Sequence, residues 1–172
     1  GSIREGSSIV EVSSGNTAIS LTWISKRLGL KPYIVVDERV SRFKINMLRA
    51  LGAEVIVTRV LPPDHPDNKF NIAKRISKEK GAYFTYQDGN VANHQAHYET
   101  TGPEILRQIN GEVDAFVMGI GTGGTITGVG RYLKEKLGNG VKIIGVVPRG
   151  SRIVHGDEYV RSRDYIDGLS SE

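Results

Sequence analysis

The sequence predicts an open α/β fold in which parallel strands alternate with helices that cover both faces of the sheet. Short β-branched runs alternate with helix-length apolar patterns along most of the chain, the pattern of consecutive βαβ units. Glycines follow the helical patterns as stop signals, at Gly29 and Gly52. Two loops rich in small polar residues each lead from a strand pattern into a helical one: Ser13-Ser14-Gly15-Asn16-Thr17 and Gly119-Ile120-Gly121-Thr122-Gly123-Gly124-Thr125. Right-handed crossovers follow from such a topology.

Residues 8–12 read as the first strand. Residues 17–28 follow as a helix, with Ile19, Leu21, Trp23, Ile24 and Leu28 around most of its circumference. Trp23 is expected on the buried face. Residues 33–36 form the next strand, 41–51 a helix closed by Gly52, and 54–58 a third strand. The proline-rich segment 61–66 is a loop rather than a linker, because a helical pattern over 68–80 follows at once. A short strand over 82–85, a helix over 99–110, a strand over 115–118, a helix over 125–137 and a strand over 142–147 complete the series. From Ser151 onward the periodicity is weak.

The bulk properties exclude several classes. With 172 residues, 38% hydrophobic and 24% charged, the chain has a globular composition and not a disordered one. No apolar run reaches the roughly 18 residues of a membrane span, and no segment reads as a secretion signal. The absence of cysteine rules out disulfide and thiolate chemistry and makes a cytoplasmic setting the expectation. The net charge of +4 is spread among acids. Even the densest basic stretch, 149–163, contains Asp157 and Glu158, so it reads as a solvated surface and no nucleic-acid partner is expected.

Gly119, Gly121 and Gly124 match G-x-G-x-x-G after a strand and before a helix, which taken literally is a dinucleotide fingerprint. That fingerprint wants an acid at the end of the following strand. Here the strand runs into Val146-Val147-Pro148-Arg149, where an arginine remains compatible with a 2′-phosphate. A tight strand-to-helix turn without any ligand is also open. The second loop shifts the balance. Thr122 and Thr125 place hydroxyls beside the unpaired amides of a helix start, which suits a terminal phosphate. Ser14, Asn16 and Thr17 offer donors at another helix start, which suits a carboxylate or a phenolic oxygen. Together they describe a site for an anionic cofactor and an amino acid. His94 and His97 are spaced for one helix face, but no third metal ligand is evident, and no metal site is expected.

The combination of Ser14-Gly15-Asn16-Thr17, Gly52-Ala53-Glu54-Val55, Gln87 with Asn90 and Asn93, Thr100-Thr101-Gly102-Pro103-Glu104-Ile105 and Gly121-Thr122-Gly123-Gly124-Thr125 resembles the cysteine synthase and cystathionine β-synthase family. These are fold-type II enzymes dependent on pyridoxal 5′-phosphate (PLP). The resemblance implies the tryptophan synthase β-like architecture, incomplete at both ends. Residues 1–95 would be most of a smaller mobile domain, and 96–172 part of the larger PLP-binding domain. It implies that Gly121, Thr122, Gly123, Gly124 and Thr125 bind the PLP phosphate and that Asn16 bonds the ring 3′-oxygen. Ser13, Ser14, Gly15 and Thr17 would close on the substrate α-carboxylate, with Gln87 as a second contact. Thr101-Gly102-Pro103-Glu104 would shape the helix behind the cup. Gly168, in Ile166-Asp167-Gly168-Leu169-Ser170, would line the site.

The implied activity is β-replacement on an O-activated serine (O-acetylserine or O-phosphoserine) with sulfide, giving cysteine in a homodimer. Cystathionine β-synthase or serine/threonine dehydratase chemistry is the alternative, and a non-catalytic binding module the alternative of another class. The family's Schiff-base lysine lies upstream of the Ser-Gly-Asn-Thr loop. None of the ten lysines here matches it, so no residue of this chain is expected to take that catalytic role. Asp37, Asp88, Val147 and Ser170 depart from the family's usual residues and bear on the particular substrate.

Overall fold

The structure is a computed structural model that describes residues 3–149 and Ser151. By internal contacts the chain divides into two compact units, Gly1–Gln87 and Asp88–Glu172. Gly168 and its neighbours 166–170 lie outside the described residues.

The first unit contains β1 (Ser8–Val12), α1 (Asn16–Arg27), β2 (Lys31–Asp37), α2 (Arg42–Ala50), β3 (Glu54–Thr58), α3 (Lys69–Lys80) and β4 (Tyr83–Phe84). Its four strands are all parallel, in the order β3-β2-β1-β4, with Val10 opposite Tyr33 and Val35 opposite Ile56. Strand periodicity divides β2 between two cores. Tyr33 and Val35 join Val10, Val12, Ala73 and Ile76 under α3, while Ile34 and Val36 join Ala18, Leu48 and Ala53 under α1 and α2. Covered on both faces, β2 reads in sequence as an unbroken apolar run. Ser41 and Asn68 cap α2 and α3, their side chains accepting from Lys44 N and Phe70 N.

Trp23 corrects the sequence expectation, because it is 52% exposed. The face of α1 that meets the sheet is made of Ala18, Thr22 and Ser25, four and three residues apart. These small side chains let the helix axis approach closely, and the Thr22 hydroxyl is satisfied by the Ala18 carbonyl at 2.7 Å. Trp23, Ile24 and Leu28 are exposed, with the Arg27 guanidinium 5.1 Å from the Trp23 ring centre, while Ile19 packs against the core.

The second unit contains α4 (Val91–Ala96), a π-turn over His97–Thr101, α5 (Gly102–Gln108), β5 (Ala115–Gly119), α6 (Gly124–Leu137) and β6 (Lys142–Val146). Strands β5 and β6 pair in parallel, with Val117 opposite Ile144. Val129, Leu133 and Val141 form the core, with Ile105, Leu106, Phe116 and Tyr132 packed against it. Helical structure begins at Val91, well before the position the apolar pattern indicates, after Asn90 caps Ala92 N at 3.0 Å. The early part of this helix packs on α6 through small groups and polar side chains, so it carries no apolar stripe to read. That packing groups α4 with α6 in the second compact unit.

Candidate functional site

The strand order of the first unit creates a switch point. The chain moves outward from β1 through β2 to β3, then crosses to the opposite side of β1 as β4. Ligands in open α/β sheets bind outside the carboxyl ends of the strands at such a reversal. The loops leaving β1 and β4 both lie there, and they carry Ser13 to Thr17 and Gln87. The Thr17 hydroxyl donates to Gln87 Oε1 at 2.8 Å, and Gln87 Nε2 donates to the Val12 carbonyl at 3.2 Å. Gly15 N donates to Ser13 Oγ at 3.4 Å. Gly15 is the N-cap of α1, which has no side-chain cap and no acidic residue in its first turn. The start of α1, with Asn16 exposed at its first position, therefore presents amides and a positive dipole end suited to a carboxylate.

Beneath this loop lies a residue that the sequence reading passed over. Glu11 is fully buried. Its Oε1 accepts from Val12 N at 2.8 Å, and its Oε2 accepts from Gln87 N at 3.2 Å and from the Thr85 hydroxyl. A carboxylate in the middle of a β-branched strand is the signal that could have found it, since buried charges persist only when hydrogen-bonded. Glu11 ties the ends of β1 and β4 together. Between Thr85 and Gln87, Tyr86 sits at φ +44°, the left-handed region that a tyrosine rarely enters. Its ring packs 5.2 Å from Phe84 and 6.3 Å from Phe70, contacts that hold the strained turn delivering Gln87.

At the end of β2, Asp37 is nearly buried and receives Arg39 at 2.8 Å and Lys69 at 3.2 Å. Burial pushes its carboxyl up, but the bonds and charges of Arg39 and Lys69 more than offset this and hold it at about 2.

In the second unit, the glycine loop connects β5 to α6. Gly123 is the N-cap at φ +82°, a conformation open to glycine and strained for most other residues. The first helical bond runs from Thr127 N to the Gly123 carbonyl, and α6 has no side-chain cap. The amides of Thr125 and Ile126 thus precede the intrahelical ladder at the positive dipole end, beside that of Gly124, which turns to Thr122 Oγ1. Two threonines flank them. Asn93 Nδ2 donates to Thr122 Oγ1 at 2.8 Å, and Gly124 N approaches the same oxygen at 3.4 Å. With its oxygen approached by two donors, the Thr122 hydroxyl has its own proton left to give to a further acceptor. Thr125 Oγ1 lies 3.1 Å from His97 Nε2, and His97 Nδ1 lies 2.9 Å from Thr101 Oγ1. His97 is thus bound between the π-turn and the cup.

The glycines also have a role behind the cup. A Cβ on Gly124 would overlap the Asn93 carboxamide. One on Gly128 would overlap the His94 carbonyl oxygen and stand 2.7 Å from His97 Cβ. Gly124 and Gly128, four apart on α6, let α4 and the π-turn approach closely enough to brace both threonines. Gly102 does likewise against Tyr132, whose Cβ lies 2.8 Å and whose ring lies 2.9 Å from where a Cβ on Gly102 would be. Across the same contact, Glu135 accepts from the Tyr98 hydroxyl, and within its own helix it accepts from Arg131 Nε at 2.9 Å. These two bonds, that from Tyr98 first, hold the Glu135 carboxyl below its usual range.

The predicted residues therefore fall into two clusters. Ser13, Ser14, Gly15, Asn16, Thr17 and Gln87 come together in the first unit. Gly121, Thr122, Gly123, Gly124 and Thr125 form the turn in the second. Glu11, Asn93 and His97 support them, and no role had been read for these three from spacing.

Comparisons with known proteins show the family. A family model described as "Pyridoxal-phosphate dependent enzyme" matches residues 2–172. The chain is 42% identical over 160 residues to a cystathionine beta-synthase of Oryctolagus cuniculus, which covers 92% of this chain and 29% of that protein. It is 43% identical over 152 residues to cysteine synthase 1 of Neurospora crassa, covering 88% of this chain and 40% of that protein. Among solved structures, a mutant hydrogen sulfide-producing enzyme complexed with an α-aminoacrylate intermediate superposes with a TM-score of 0.87 at 31% identity. That alignment takes in 99% of this chain and 51% of the other. The chain spans about a third to a half of the length of these relatives.

Proposed function

Because the chain belongs to the family of pyridoxal-phosphate-dependent enzymes, we propose that it supplies the phosphate cup and carboxylate loop of an enzyme that replaces the β-substituent of an O-activated serine. O-acetylserine or O-phosphoserine would react with sulfide to give cysteine. The observation that carries this reading is the pair of uncapped helix starts, each flanked by hydroxyl and amide donors.

The residues present fit the cofactor's phosphate. A phosphate dianion only accepts hydrogen bonds, and the turn at Gly121, Thr122, Gly123, Gly124 and Thr125 offers donors: first-turn amides and a Thr122 hydroxyl whose oxygen already faces two donors. Asn16 would donate to the ring 3′-oxygen. When bound, the cofactor supplies a conjugated ring that draws off the electron pair left at Cα when its proton is removed.

The chain's own residues orient and hold. The α1 amides, with Ser13, Ser14, Gly15 and Thr17, would grip the substrate carboxylate and fix rotation about its Cα bonds. Gln87, braced by Thr17 and Val12, would set the limit to which that loop closes. None of the ten lysines is assigned a covalent role in this reading. On the family resemblance alone, the protein would be a cytoplasmic homodimer, with residues 1–95 as the smaller mobile part and 96–172 within the cofactor-binding part. Among the described residues no helix is long and apolar enough to cross a membrane.

The test is to dialyse the purified protein against PLP, measure retained cofactor, and assay cysteine formation from each activated serine with sulfide. Retention with turnover is the expected result. Failure to retain PLP would overturn the cup, whereas retention with cystathionine formed from serine and homocysteine, and no cysteine, would move the activity to the alternative reading.

A further inference from the structure

The two threonines of the glycine turn are braced from behind by residues one helical turn apart, Asn93 and His97. A hydroxyl has one proton, and what its oxygen accepts decides where that proton can go. For Thr122 the direction is fixed, since an amide nitrogen can only donate. For Thr125 it depends on the imidazole. A neutral ring has one donor and one acceptor nitrogen, and His97 uses both, Nδ1 toward Thr101 and Nε2 toward Thr125. If the Thr101 hydroxyl donates to Nδ1, Nε2 carries the proton, donates to Thr125 Oγ1 and leaves the Thr125 proton for a ligand. In the other tautomer Thr125 donates backward to Nε2 and offers only lone pairs.

We infer that His97 is a positioning residue that holds Thr125 as an outward donor, making the cup selective for a dianionic phosphate ester over a ligand without one. The π-turn His97–Thr101 is the element that makes the arrangement possible. Its wider turn sets the imidazole between Thr101 and α6, and Gly128 removes the side chain that would stand in the way. Turns of this kind cost helical regularity and recur at functional sites. Asn93, four residues earlier, fixes Thr122 in the same sense, so one segment sets the polarity of both cup hydroxyls.

This inference rests on the reading of the turn as a phosphate cup, and its test separates the two. Equilibrium dialysis gives the affinity of the wild-type protein and of His97→Leu and His97→Gln for PLP and for pyridoxal, which lacks the phosphate. His97→Leu should weaken PLP about tenfold or more, the loss expected when a bond supporting a charged group is removed, and leave pyridoxal within about twofold. His97→Gln, whose amide nitrogen can donate in place of Nε2, should recover most of the loss. The ¹⁵N signals of the His97 ring in the PLP-loaded wild-type protein should show the proton on Nε2, a measurement independent of how well the variants fold. A proton on Nδ1, or equal PLP affinity of His97→Leu and wild type, overturns the relay and leaves the cup standing. Equal weakening of PLP and pyridoxal also overturns it, as the mark of a structural role. A wild-type protein that retains no PLP overturns the cup and the relay together.

Discussion

Gly128 stands where α6 meets the backbone of the preceding helical segment, and the atom an added Cβ would overlap is the His94 carbonyl oxygen. A backbone oxygen held in a helix cannot swing aside as the end of a side chain does. Gly128→Ala should therefore destabilise the protein by about 1–3 kcal/mol, read as a lowered denaturant midpoint. Gly140→Ala is the control, since nothing lies within 4 Å of its Cβ position, and it should be near neutral. Asp37 supports a second prediction at this scale. Its folded-state carboxyl, held at about 2, lies below the unfolded range. The stability it contributes, roughly 2 kcal/mol, is thus fully present above pH 4 and lost as pH falls toward 2. Unfolding of the wild type and of Asp37→Asn should differ at pH 6 and converge near pH 2.

Among the elements, the pair β1–α1 and β4 with its following turn forms the switch-point assembly, held by Glu11 below and by the Thr17–Gln87 bond above. Thr17→Val keeps the shape of the side chain and removes its donor. If the loop serves the substrate carboxylate, this variant should raise KM for the activated serine several-fold and leave PLP affinity unchanged, which steady-state kinetics and dialysis distinguish. Equal loss of both would show that the loop serves the cofactor instead. The second assembly, α4 with its π-turn against α6, depends on approach distance more than on apolar area. Its contacts include the Asn93, His97 and Tyr98 side chains with Thr122, Thr125 and Glu135, and the Tyr98 ring edge-on to Tyr132.

For the whole molecule, the described core falls into three clusters. The two clusters on either side of β2 belong to the first unit, and the Val129, Leu133 and Val141 cluster to the second. Leu133 is fully buried, and Leu133→Ala should cost about 2–5 kcal/mol through lost transfer energy and the cavity left behind. Hydrogen exchange should locate the loosening in α6, β5 and β6, with β1 to β3 protected as before. Uniform loss of protection across both units would instead show a single cooperative core.

The sequence by itself determined the alternation of strands and helices, the two loops that open helices, and the family. Those properties are written in local pattern: β-branched runs, glycine stops and small polar residues at a strand's end act on neighbouring backbone, whatever the rest of the chain does. The element bounds of β1 and β3 were legible for this reason, and so were the residues of both loops. Only the tertiary structure decided what depends on distant partners. Trp23 lies outside because Ala18, Thr22 and Ser25 are what the sheet can accommodate at close range. Helix α4 was illegible because polar contacts and two glycines on another helix, not an apolar stripe, bind it. Glu11, Asn93 and His97 acquired meaning only when β4 came back beside β1 and α6 came to rest against the π-turn. A hydrogen bond is short and directional, so its partner cannot be read from a pattern until the fold has brought the two atoms together.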